Sequence, residues 1–275
     1  MSKGNGASPV LLKLGGALLT DKAGHEAVRH DVVARVAAEL AAWFDGGRPL
    51  VVAHGSGSFA HRAAARAGFP AAFSPAAFAA VAASAARLHR VVVDALVGAG
   101  LPAVGVPGGA VAALDDGRVA AVRSDLVGDL VAAGLVPVTY GDAALDRRRG
   151  GGIASTEPIL VALAAPLGVG RLVFATDVDG VFDRDPAAHA DARCFDRLAP
   201  GETPWATGAA GARAGVTDVT GGMDAKLAAA FEAVVQRPGV TVRIVSGLRP
   251  GALAAALDGR ADAGGTLIAR RDASG

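Results

Sequence analysis

The chain has one cysteine, one tyrosine, two tryptophans and few charges, and each scarcity excludes something. A single thiol, Cys194, cannot close an internal disulfide. It also has no Cys or His neighbours at metal-ligand spacing, so it reads as an inert, half-buried side chain and points to a reducing, cytoplasmic setting. Charged residues make up only 19% of the 275, against 52% hydrophobic, which excludes a disordered chain and fits one large α/β domain or two fused lobes. Lys plus Arg (27) nearly cancels Asp plus Glu (26). No global field therefore favours nucleic acid or an anionic membrane, and any charge recognition is local. The 38 glycines and 14 prolines follow no Gly-X-Y period, which excludes collagen.

No long uninterrupted apolar run is present either. Pro9–Leu19 is broken by Lys13 and Gly15-Gly16, unlike the apolar region of a signal peptide. The Ala-rich stretch from Pro70 to Leu88 is broken by Pro75, Ser74, Ser84 and Arg87, and reads as a helix of a water-soluble fold.

Short β-rich runs alternate with longer Ala/Leu patterns, the arrangement of βαβ units around a mainly parallel sheet. Core strands are predicted at Pro9–Leu14, Leu50–Ala53, Ala103–Val106, Leu135–Thr139, Leu172–Ala175, Val240–Val245 and Thr266–Ala269. Amphipathic helices are predicted at Asp31–Phe44, Ala76–Val97, Arg123–Ala133 and Gly222–Gln236. An edge strand at Val119–Val122 and a hairpin across Asp142–Ile153 complete the reading, and one continuous sheet is expected to join both lobes.

Several segments carry chemistry. Lys13-Leu14-Gly15-Gly16-Ala17 closes the first strand with paired glycines, which let backbone approach a ligand while neighbouring N–H groups face it. The second strand runs into His54-Gly55-Ser56-Gly57-Ser58-Phe59-Ala60-His61, a formal match to a dinucleotide fingerprint. That fingerprint needs an acid about 20 residues on, and no Asp or Glu lies between Gly46 and Val93. The same stretch holds Arg48, His54, His61, Arg62, Arg66, Arg87, His89 and Arg90, so a locally cationic half suited to a phosphorylated small molecule is expected. Asp177-Val178-Asp179-Gly180 follows a buried strand, where carboxylates at the sheet's C-terminal edge suit a ribose or a magnesium nucleotide. An EF-hand is excluded, since Phe182 and Ala188 stand where that loop needs Gly and Glu. Thr220-Gly221-Gly222 opens a helix with Lys226 on its first turn, an arrangement that meets phosphate. There is no P-loop and no protein-kinase catalytic loop.

Taken in order, Lys13-Leu-Gly-Gly-Ala with Lys22, His54-Gly-Ser-Gly-Ser-Phe-Ala-His61, Tyr140-Gly141-Asp142, Ala175-Thr-Asp-Val-Asp-Gly and Asp218-Val-Thr-Gly-Gly-Met-x-x-Lys226 resemble the amino acid kinase superfamily, most of all its isopentenyl phosphate kinases. The resemblance implies an open three-layer αβα sandwich with a mainly parallel central sheet. Residues 1–169 would form the acceptor-binding and dimerisation lobe and 170–275 the ATP lobe, in a homodimer binding neither nucleic acid nor membrane. It implies Lys13, Lys22, His61 and Lys226 as catalytic residues. For ATP it implies Lys13, Gly15, Gly16, Ala17, Ser56, Asp177, Gly180, Gly222 and Lys226, and for the acceptor Gly55, Gly57, His61, Gly152 and Ser155. Mg²⁺ would arrive with ATP rather than on a dedicated set of protein ligands. An isoprenyl tail needs an apolar slot, for which Ala71–Val81 with Phe73 and Phe78 is the candidate. Three departures from the family pattern lie on the acceptor side: Ala60 for Gly, Ser155-Thr156-Glu157 for Ser-Gly-Asp, and Pro107-Gly108-Gly109-Ala110 for a Pro-Ser-Ser-like run. A phosphonate kinase of the fosfomycin-resistance type and a non-catalytic nucleotide sensor remain open alternatives.

Overall fold

The computed structural model describes residues 8–21, 24–44, 47–204 and 222–271. In chain order the elements are β1 (Val10–Leu14), α1 (Gly16–Leu19), α2 (His30–Trp43), β2 (Leu50–His54), α3 (Gly57–Ala67), α4 (Pro75–Gly98), β3 (Ala103–Gly105), α5 (Gly108–Val111), β4 (Ala112–Asp115), β5 (Arg118–Val122) and α6 (Ser124–Ala132). They continue with β6 (Val136–Tyr140), β7 (Asp142–Asp146), β8 (Gly150–Ala154), α7 (Thr156–Ala164), β9 (Arg171–Thr176), β10 (Arg197–Leu198), α8 (Gly222–Gln236), β11 (Thr241–Ser246), α9 (Ala252–Asp258) and β12 (Thr266–Ile268).

Eight strands form one sheet in the order β10-β12-β11-β9-β1-β2-β6-β3. Only β11–β12 pairs antiparallel in it. The junction β1–β9 is in register from Val10↔Arg171 to Leu14↔Ala175, so the expected continuous sheet is present and its two halves meet beside Lys13. Alternation sorts the side chains onto two faces. Leu11, Val51, Leu172, Phe174, Val242 and Ile244 face one core with α7 and α8. Leu12, Val52, Val138 and Val173 face the other with α2, α4 and α9. Both faces are covered, which is why these strands read as unbroken apolar runs, and the three layers are those of an αβα sandwich. Each fully buried Leu or Phe contributes about 1.5–3 kcal/mol.

Helix α4 is long and apolar enough by composition to cross a membrane. Here Val81, Ala85, Leu88, Val92 and Leu96 are buried along one side of it. It begins where Ser74 Oγ accepts from the Ala77 amide (3.1 Å), with Pro75 in the first turn. The predicted edge strand is β5 and the predicted hairpin is β7–β8. They lie in a separate four-stranded sheet, β5-β4-β7-β8, together with β4, which was not predicted.

Candidate active site

The strand ends β1, β2, β6 and β9 converge on one edge of the large sheet, where the connections carry glycine. Gly15 N–H donates to Ala175 O (2.8 Å) and Gly55 N–H to Leu14 O (2.9 Å), tying the first two turns to the sheet. The turns then touch backbone to backbone. A Cβ on Gly16 would lie 2.4 Å from Gly57 N, and one on Gly55 2.7 Å from Gly16 N. Gly57 also has φ +51, a conformation costly for other residues. Thr20 fastens the pair, its hydroxyl donating to Gly16 O (2.9 Å) and accepting from Ser58 N–H (3.0 Å).

Ser56 is the N-cap of α3, but its hydroxyl donates to Gly141 O on the neighbouring connection, so it does not cap its own helix. Among the described residues no group accepts from the amides of Gly16, Ala17, Ser56 or Gly57. Uncommitted amides of this kind are what a phosphate oxygen requires. Ser155, the N-cap of α7, makes no capping bond either.

Lys13 is only 4% exposed, on the face of β1 covered by α7. Its Nζ donates to Glu157 Oε1, the second residue of that helix. Burial alone would raise the Glu157 carboxyl. The charges of Lys13 and Lys226 and the Lys13 hydrogen bond outweigh that and hold it at about 2. Lys226 comes from α8 in the other half of the chain, its Nζ donating to Gly222 O (3.0 Å). The Glu157 carboxylate thus pairs with Lys13 and lies in the field of Lys226. Glu157 itself was not foreseen as a site residue. Its only sequence signal was the departure from a Ser-Gly-Asp pattern, which already placed an acid at that position.

Next to the β1 turn, an open cleft of about 410 Å³ is lined by Asp177, Val178, Asp179, Ser246, Leu248 and Arg249, at the C-terminal ends of β9 and β11. That is the place for a ligand in an open parallel sheet. Its far wall is held by Gly247 N–H donating to Thr176 O (2.8 Å) and by Leu18 of α1 packed against Gly247. Among the described residues no three His, Cys, Asp or Glu side chains gather as a metal cluster. The donors present, Asp177 and Asp179, suit a hydrated cation carried by nucleotide phosphates.

His61 lies half-buried on α3, one turn beyond the glycine turn. Beside it an apolar cluster joins Ala60, Ala64, Phe69, Ala77, Val81, Tyr140 and Ala143, with Phe78 and Ile153 packed on its rim. Phe78 meets Phe69 (6.1 Å) and Phe73 (6.4 Å) edge to face. Phe73, 43% exposed, covers the backbone of Gly150 and Gly151. Of the predicted slot, Ala77, Phe78 and Val81 belong to this cluster and Phe73 packs on Phe78, while Ala71, Ala72, Ala76, Ala79 and Ala80 are exposed.

Other expectations fare differently. Gly152 is buried on β8 against Leu114, and Gly180 against Cys194 and Thr266, so each is fixed by packing where a side chain would clash. Burial raises the Cys194 thiol, as expected of an inert one. Lys22 and Thr217–Gly221 lie outside the described residues. The expected cationic half is corrected for Arg48, Arg87, Arg90, His54 and His89. Arg48 pairs with Asp258, Arg87 with Glu26 and Arg90 with Asp94, while burial drives His54 to about 3 and His89 to about 4, leaving both rings neutral.

The amino acid kinase family model matches residues 8–246. The chain belongs to the amino acid kinase family. It is 31% identical over 268 residues to the isopentenyl phosphate kinase of Methanothermobacter thermautotrophicus, an alignment covering 91% of this chain and 95% of that one. It is 33% identical over 234 residues to the acetylglutamate kinase of Rubrobacter xylanophilus, covering 78% and 84%. An X-ray structure of isopentenyl phosphate kinase superposes with a TM-score of 0.80 at 28% identity, covering 94% of this chain and 99% of that one.

Proposed function

We propose that this kinase transfers the γ-phosphoryl of ATP to isopentenyl phosphate, giving isopentenyl diphosphate and ADP. The observation that carries the reading is the pair of touching glycine turns with uncommitted amides at the end of β1, the strand that also carries Lys13, with Lys226 acting on the Glu157 carboxylate that pairs with Lys13. A phosphoryl group in flight spreads negative charge over its equatorial oxygens, and pre-placed cations and amides stabilise it without reorganising. An oxygen of the acceptor phosphate attacks Pγ, the bond from Pγ to the bridging oxygen breaks, and ADP leaves with the negative charge. The acceptor is already ionised at neutral pH, so no strong base is needed.

His61 and the amide of Gly57 hold the acceptor phosphate, with Ser155 on the same side, while the Gly55 amide is already spent on Leu14 O. The apolar cluster of Phe69, Phe78 and Val81 takes the isoprenyl tail. Asp177 and the cleft beside it take the nucleotide. Magnesium bound with ATP would neutralise the β- and γ-phosphates, and Asp177 and Asp179 are the residues placed to hold its waters. On this reading residues 1–169 serve the acceptor and 170–275 the nucleotide, within a homodimer of a reducing cytoplasm.

Steady-state assays with Mg-ATP test the reading against its rivals. Isopentenyl phosphate should be turned over with kcat/KM at least about a hundredfold above fosfomycin or N-acetylglutamate. A preference for the phosphonate would make the protein a phosphonate kinase. ATP binding without turnover of any phosphorylated acceptor would make it a sensor.

A further inference from the structure

Behind the glycine turn lies a buried polar cluster that the proposed chemistry does not use. His54, the last residue of β2, is completely buried. Its Nδ1 lies 3.1 Å from Gly55 O and its Nε2 lies 3.0 Å from His89 Nδ1 on α4. A carbonyl can only accept, so His54 Nδ1 carries the proton. Burial lowers the proton affinity of both rings, and each neutral ring has a single N–H. His54 Nε2 is then an acceptor, and His89 Nδ1–H must donate to it. His89 Nε2 is left as a bare lone pair, and it is indeed buried with no hydrogen-bond partner. Gly105 makes room there, since a Cβ would lie 2.4 Å from that nitrogen. Tyr140 stacks on His89 at 4.2 Å and holds the ring plane.

We infer that His54 and His89 form a hydrogen-bond relay that fixes the Gly55–Ser56 peptide with its carbonyl toward the core and its N–H toward the phosphoryl site, which makes both histidines positioning residues. In a trans peptide the C=O and N–H point in opposite directions. Holding Gly55 O on the His54 side therefore sends the Ser56 amide the other way, where no described group accepts from it. A peptide that follows glycine rotates easily, so without this anchor the Ser56 amide would be free to turn from the site. The Ser56 hydroxyl cannot substitute, because Gly141 O occupies it.

The inference rests on the proposed function for its catalytic consequence but not for its chemistry. Two measurements separate the cases. ¹⁵N NMR of histidine-labelled, substrate-free protein at pH 7, assigned with His54→Asn and His89→Phe, should find Nδ1 protonated and Nε2 bare in both rings. His89→Phe, which keeps the stack on Tyr140, should release His54 into a mixture of tautomers. In the kinase assay His54→Leu should lower kcat about tenfold or more, as for loss of one pre-placed donor, with KM for ATP within about threefold. His54→Asn, which restores an N–H near Nδ1, should recover most of that loss. An Nε2-protonated His54 overturns the relay, and so does a folded His54→Leu with unchanged kcat. If His54→Leu does not fold, the tautomers and the His89→Phe kinetics decide. If the native protein does not phosphorylate isopentenyl phosphate, the functional reading fails and the NMR result still judges the relay.

Discussion

Replacing Glu157 by Gln removes the carboxylate that pairs with Lys13 and lies in the field of Lys226, while keeping size and hydrogen-bonding atoms. The carboxyl is held at about 2 rather than 4.5, which corresponds to about 3 kcal/mol of preference for its ionised form. Breaking a buried ion pair from one side costs a similar ~3–5 kcal/mol. For 275 residues the unfolding entropy at Tm is about 0.6 kcal/mol/K, so a loss of about 3 kcal/mol lowers Tm by about 5 °C. A saturating non-hydrolysable ATP analogue brings anionic oxygens to the same lysines and should return part of that loss. Turnover should fall about tenfold to a hundredfold, because the Lys13 ammonium loses the carboxylate that holds it in place. Glu157→Asp keeps the charge and should retain most of both quantities. Differential scanning fluorimetry with and without the analogue, beside steady-state kinetics, reads all of this. A folded Glu157→Gln with native Tm and kcat would refute the organising role.

Three further outcomes follow from the same geometry. The folded Glu157 carboxyl lies below its unfolded value, so its contribution is complete above about pH 4.5 and disappears as the pH falls toward 2. The gap between urea midpoints of the native protein and Glu157→Gln should accordingly narrow as the pH falls from 5 to 3, and a constant gap would contradict this. His61→Ala should reduce kcat/KM for the acceptor and leave ATP affinity unchanged by calorimetry, and an equal loss on the nucleotide side would return His61 to a packing role. Gly57→Ala places a Cβ 2.1 Å from Thr20 Oγ1 at φ +51, so Thr20 must release the Ser58 amide. It should cost about 2 kcal/mol or more in stability and over tenfold in kcat, and native-like behaviour would show that the two turns do not depend on each other.

The sheet was legible because both its faces are covered, which leaves runs such as Leu50–Ala53 and Leu172–Ala175 apolar throughout. β4 escaped because Ala112-Ala113-Leu114-Asp115 is short and small, with no residue type that marks a strand. α7 carries apolar side chains on nearly every face, wedged between sheet and α8, so no helical period stood out. The lysines could be named from their glycine-rich surroundings. Glu157 could not be assigned its role, since its partner in β1 is 144 residues away. The error over the cationic half has the same origin. The acids that neutralise Arg48, Arg87 and Arg90 lie outside the acid-free stretch, at Asp258, Glu26 and Asp94, and burial rather than any nearby acid removes the charge of His54 and His89.

The central claim is that a lysine from each half of the chain acts on the same phosphoryl group, and a double-mutant cycle on kcat with Lys13→Ala, Lys226→Ala and the pair tests it most directly. Each single change should cost about a hundredfold, and the double variant should be little slower than the worse single, as for residues that work as a unit. Losses that multiply would mean that the two ammonium groups act independently, and the account would fail.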